Sequence, residues 1–123
     1  MMDSDKDVSA GNLGNEPELA QIAELCAGTV RFMNENGLNY IYMEGLRYLS
    51  QGIQRQMNEL LCLNYTNGTY PTKLYLAENI GLGLNWNETA YLLGQPWFSW
   101  SWKGVAPNQK PIEILAAHLE AFR

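Results

Sequence analysis

Leu38–Leu63 reads LNYIYMEGLRYLSQGIQRQMNELLCL, and the assignment of this stretch decides the fold. Tyr42, Leu46, Leu49, Ile53, Met57 and Leu60 recur at three- and four-residue steps, the spacing of one helical face. The spacing predicts one long helix from about residue 40 to 63. Gly45 and Gly52 fall on one side of that helix, and each costs about 1 kcal/mol relative to Ala. They would mark a place where another backbone packs closely. The competing reading makes Leu38–Met43 a short strand, because Tyr40, Ile41 and Tyr42 favour extended backbone.

Working toward the N-terminus, Leu19, Ile22, Cys26, Val30 and Met33 again follow helical spacing. Asn15 is a suitable N-cap, Glu18 completes a capping box, and Pro17 fits a first turn. A helix is therefore expected from near Asn15 to Asn36-Gly37, where Gly37 suits a left-handed cap. Its stripe of Ala20, Ala23 and Ala27 would allow close packing, and the short link at 36–39 makes helices one and two an antiparallel pair. Residues 1–15, MMDSDKDVSAGNLGN, carry almost no bulky apolar group and are expected to be a flexible acidic tail. Residues 16–123 then form one globular domain.

Toward the C-terminus the composition changes at Asn64, where Asn64-Tyr-Thr-Asn-Gly-Thr is turn chemistry. Thr72–Glu78 is a strand candidate, 80–83 a turn, and Leu84–Leu93 is open between strand and helix. Trp97–Lys103 alternates most clearly. Phe98, Trp100 and Trp102 point to one face, while Trp97, Ser99, Ser101 and Lys103 point to the other. A last helix should run from about Asn108 or Lys110 to Ala121, with Pro111 in its first turn and Ile112, Leu115, Leu119 and Phe122 inward. The expected fold class is α+β: two N-terminal helices, a small antiparallel sheet of about three strands, and a C-terminal helix packed on one face.

Composition narrows the function classes. The formal net charge is −5 over 123 residues. Residues 16–63 hold six Glu against Arg31, Arg47 and Arg55, and residues 64–123 balance at zero. With no basic cluster to neutralise phosphates, charge argues against nucleic acid as a partner. Cys26 and Cys62 each fall in an apolar stripe and read as buried free thiols. The start of the chain lacks a basic region followed by an apolar run, and no stretch approaches 18 apolar residues. No membrane association and a cytoplasmic setting are the expectation. The Asn-x-Thr triplets at Asn64, Asn67 and Asn87 then carry no information among twelve Asn.

Motifs for chemistry are weak throughout. His118 is the only histidine and stands at the margin of the last helix's apolar stripe, away from any Cys or carboxylate cluster. Gly81-Leu-Gly83 lacks the third glycine of a dinucleotide loop, and no Gly-Lys-Ser/Thr occurs. Leu76–Gly94 shares an Ala-x-x-x-Gly step with helix-turn-helix segments. Its would-be recognition helix, Trp86–Leu93, holds no Lys or Arg and one Glu, so it cannot contact phosphates in the usual way. No family is identified and no cofactor or metal is implied. The balance leans against catalysis, with an enzyme left open through Glu88, Tyr91 or His118 but no reaction specified.

What stands out is aromatic. Trp97 shares its strand face with Ser99, Ser101 and Lys103, a mixture suited to an exposed recognition surface, and Trp86 and Tyr91 lie close in sequence. These six residues are the candidate binding set. The leading expectation is an acidic protein-interaction module, such as an inhibitor, adaptor or accessory factor, possessing an aromatic strand surface and able to form a homodimer. The alternatives are a small-ligand module with a Trp/Tyr-lined pocket and a helix-turn-helix transcription regulator.

Overall fold

The computed structural model describes residues 17–65 and 69–123. The expected tail at 1–15 lies outside them. The architecture corrects the α+β expectation: a six-stranded, wholly antiparallel sheet dominates, and helices are short and few. A 3₁₀ turn at Pro17–Leu19 leads into α1 (Ala20–Ala23), followed by β1 (Val30–Glu35), β2 (Leu38–Ser50), β3 (Ile53–Cys62), β4 (Lys73–Leu76), β5 (Trp86–Leu92), β6 (Gln95–Trp100) and α2 (Pro111–Leu119), which ends in a 3₁₀ turn at Glu120–Phe122. The strand order is β1-β2-β3-β4-β6-β5, leaving β1 and β5 as the two edges. Among the described residues no helix is long and apolar enough to cross a membrane.

The predicted helix over 40–63 is instead the β2–β3 hairpin, and the predicted helix over 15–36 gives way to four residues of α1 and then β1. Two features explain the difference. Asn36-Gly37 and Gln51-Gly52 both have positive φ at both residues (54° and 82°; 52° and 80°), the backbone of two-residue type I′ hairpin turns. Asn36-Gly37 is thus a strand-to-strand turn where a helix cap was expected. The second feature is the register shift between Met43 and Leu46. Ile41 and Met43 lie on the helix-covered face before it, and Leu46 and Tyr48 lie on that face after it. One extra residue turns a two-residue step into a three-residue step, and the result mimics helical spacing.

Both faces of the sheet's centre are buried, which removes the simple alternation of polar and apolar residues there. One face packs under the helices: Leu19 and Ile22 meet Ile41, Met43, Leu46, Leu61, Leu74, Trp100, Leu115 and Phe122. The other face gathers Tyr40, Leu60, Cys62, Tyr75, Leu92 and Trp97. Cys26 and Cys62 are buried free thiols, placed after α1 and at the end of β3 and not on helices.

α2 begins where Pro111 fits a first turn, and Glu113 reaches back to accept from the Lys110 N–H at 3.2 Å. Trp102 donates its indole N–H to the Ala117 carbonyl at 2.9 Å, clamping the strand exit to the helix.

Candidate functional site

The registers fix which residues share a face. Reading across the sheet on the helix-covered side, Val30, Met43, Glu59, Leu76, Phe98 and Thr89 form one row through all six strands. Beyond Phe98 the next cross-strand pair is Tyr91 with Pro96. Here helix cover runs out. Thr89, Tyr91 and Pro96 are exposed and Phe98 is half-buried. Tyr91 is 76% exposed, the most open of the large apolar side chains among the described residues. The Leu93-Gly94 turn, with φ of 54° and 77°, closes this hairpin and leaves Leu93 exposed.

The six residues expected to bind do not form one surface. Trp97 is 1% exposed and lies in the second core, with its indole N–H donating to the Leu92 carbonyl at 2.9 Å. Ser99 is equally buried and donates to the Leu74 carbonyl at 2.6 Å. The alternation along this strand is as read from the sequence, but the Trp97 face is covered. Trp86 is half-buried against Trp100, at 5.4 Å between rings, and donates to the Gly81 carbonyl at 2.8 Å. Ser101 accepts from the side-chain amides of Asn87 at 2.6 Å and Asn85 at 3.2 Å. Lys103 is exposed beyond the end of β6, and Tyr91 alone of the set projects from the sheet. Pro96, Phe98 and Thr89, which complete the Tyr91 patch, escaped sequence reasoning. The signal was the hairpin register, which needed the Leu93-Gly94 turn to be recognised.

The hairpin carrying the patch is held from behind. Glu88 accepts from Tyr75 Oη at 2.8 Å and from Tyr65 Oη at 3.2 Å, and Lys73 Nζ lies 3.7 Å from it. Lys73 also faces the rings of Tyr70 and Tyr65 at 4.8 and 5.3 Å and donates to the Trp100 carbonyl at 3.3 Å. Burial pushes the Tyr75 hydroxyl well above its ordinary range, with the Glu88 carboxylate adding to the effect. This network ties β5 to β4 and fixes the patch on a rigid support.

The remaining chemistry-bearing side chains are withdrawn from solvent. Thr72 donates its hydroxyl to the Val105 carbonyl at 2.8 Å, so the 2.9 Å contact with His118 Nε2 requires the imidazole to donate there. His118 Nδ1 has no partner, and burial, helped by Lys73, lowers its pKa to about 4. Glu59 is fully buried with neither oxygen paired, and burial raises its pKa well above the carboxylate range. Cys26 is raised to about 11, first by burial and then by Glu59. Neutral imidazole, neutral carboxyl and protonated thiol are poor starting points for acid–base or nucleophilic work near neutral pH. Among the described residues no three His, Cys, Asp or Glu side chains cluster to hold a metal ion. No family model, curated protein or solved structure matches the chain.

Proposed function

We propose that this chain is a non-catalytic protein-interaction module whose partner docks on the Tyr91 patch of the β5–β6 hairpin. The observation that carries the reading is the open aromatic surface of Tyr91, Pro96 and Phe98, with the Thr89 hydroxyl beside it, on a hairpin locked by Glu88. Large amphipathic rings that keep their position in the free state lose little entropy on binding, which is why tyrosine anchors recognition surfaces. The chemistry suits an apolar segment of another protein that seats an aliphatic or proline side chain on the Tyr91 ring. The aromatic strand surface of the sequence reading is thereby moved from Trp97 to Tyr91. Withdrawal of His118, Glu59 and both thiols supports a binding role over a catalytic one. Two free thiols support the cytoplasm as the setting.

The small-ligand reading has less to stand on, because the indoles of Trp86 and Trp97 are spent on main-chain carbonyls. For the helix-turn-helix reading, Trp86–Leu92 is a strand and offers no recognition helix.

The test is quantitative co-purification from the source cells with wild type, Tyr91→Glu and Leu49→Glu. Leu49 is 67% exposed on the β2–β3 hairpin, on another part of the surface. A partner lost with Tyr91→Glu and retained with Leu49→Glu supports the reading. Equal recovery with both variants would overturn it.

A further inference from the structure

The two edges of the sheet differ. β5 carries a register shift between Trp86 and Glu88, which interrupts its ladder. β1 pairs with β2 through six consecutive residues without a shift, and Val30–Glu35 contains no Pro and no Lys. Bulges, Pro and charged side chains are the usual protections of an open edge against pairing. β1 has no bulge and no Pro, and its two charges, Arg31 and Glu35, are of opposite sign.

The hairpin turn sets which of its main-chain groups are free. Glu35 and Leu38 close the two-residue turn as a hydrogen-bonded pair, so Met33 and Arg31 also bond to β2, and Phe32 and Asn34 direct their N–H and C=O outward. The Glu44 N–H donating to the Thr29 carbonyl at 2.9 Å continues the same alternation.

Charge then selects the occupant. Arg31 and Glu35 stand two residues to either side of Met33, one cation and one anion on the same face of the strand. A second β1 laid antiparallel about Met33 places each Arg31 directly opposite the partner's Glu35. Phe32 and Asn34 become the hydrogen-bonded pairs of that register. It also lays the partner's Phe32 against Asn34, at a cavity of about 420 Å³ lined by Phe32, Met33, Asn34, Asn39 and Leu63. Phe32 is 38% exposed in the single chain.

We propose that β1 is a self-pairing edge: two copies of this chain join their sheets through β1 about a two-fold axis at Met33. The contact is isologous and closes on itself, so it yields a dimer and not a fibre. It lies at the opposite edge of the sheet from Tyr91 and stands or falls independently of the partner surface there.

The test uses the full chain in light scattering coupled to size exclusion, with circular dichroism to check folding. Wild type is expected at twice the 13.9 kDa monomer mass. Arg31→Glu alone and Glu35→Arg alone should each run as monomers, because each opposes like charges across the axis. An equimolar mixture of the two variants should recover the dimer, since every opposed pair is then of opposite sign. Should a variant misfold, amide exchange of wild type decides. Phe32 and Asn34 amides should be protected in concentrated solution and lose protection on dilution. A wild type that stays monomeric, single reversals that still dimerise, a mixture that stays monomeric, or exchange independent of concentration would each overturn the proposal.

Discussion

The hydroxyl of Tyr48 stands beside the fully buried carboxyl of Glu59 inside the helix-covered layer, and neither group closes a hydrogen bond of ordinary geometry. Burial is the main cause that raises both groups; the Glu59 carboxyl adds to the rise of Tyr48, while the Tyr48 hydroxyl offsets part of the rise of Glu59. Glu59 sits mid-row on the sheet, between Met43 and Leu76, where water does not reach.

A consequence follows for pH. Glu59 holds its proton more tightly folded than unfolded, so its contribution is fully present below the unfolded value near 4.5. It is lost as pH rises toward the folded value, at up to about 1.4 kcal/mol per pH unit. Glu59→Gln should remove that loss and raise the melting temperature at pH 7, by roughly 4 °C or more for each kcal/mol recovered. Thermal melts of both proteins from pH 4 to 8 check this; parallel curves would mean that Glu59 ionises freely.

His118 acts in the opposite direction. Its folded pKa is lowered from 6.5 to about 4, so the unfolded chain takes up a proton first as pH falls. Its contribution is complete above 6.5 and is lost between 6.5 and about 4. As the only histidine, its ring resonances can be followed without assignment by mutagenesis. They should stay in the neutral position down to pH 5, and a midpoint near 6.5 would contradict the buried Thr72–His118 pair.

Gln51→Asn separates the hairpin from the helix that the spacing of residues 40–63 suggests. Asn at the first position of a type I′ turn should stabilise the protein, because it tolerates the positive φ that Gln51 adopts there. The same change within a helix would destabilise it, because Asn is a poorer helix former than Gln. The sign of the shift in a urea midpoint decides.

Tryptophan emission reports the second core. Trp97 and Trp100 are closed to solvent while Trp86 and Trp102 are half-buried. Emission should be blue-shifted, with a quenchable fraction that Trp97→Phe leaves unchanged. Loss of the quenchable fraction with Trp97 would place that indole on the surface.

These residues also show what the sequence could and could not reveal. The alternation of Phe98 and Trp100 against Trp97 and Ser99, a strand within 72–78, and a last helix with Pro111 in its first turn were legible, because each is a short element bounded by turn or proline signals. The β2–β3 hairpin was not. Both its faces are covered in the half away from its turn, where Tyr40–Met43 face Glu59–Cys62. Apolar Leu49 and Ile53 are exposed near the turn, so polarity does not mark a solvent side, and the Glu44–Gly45 bulge shifts the phase in mid-strand. Gly45 shows the local demand: its φ is 66°, and an added Cβ would lie 3.0 Å from Ala27 Cβ. The seven-residue spacing of Gly45 and Gly52, read as helix packing, is one bulge and one turn. The Trp97 surface failed for a tertiary reason. Which of two aromatic faces is covered depends on strands distant in sequence, and Trp97 packs in one cluster with Tyr40, Leu60 and Tyr75.

The most direct measurement places a photo-crosslinking phenylalanine analogue at position 91 and, separately, at position 49, in the full chain within its source cells. Both sites are largely exposed, so exposure alone would give equal results. Discrete crosslinked species from position 91 that are absent from position 49 are the predicted outcome. Identical patterns from the two positions, or none from position 91, would contradict a partner surface centred on Tyr91.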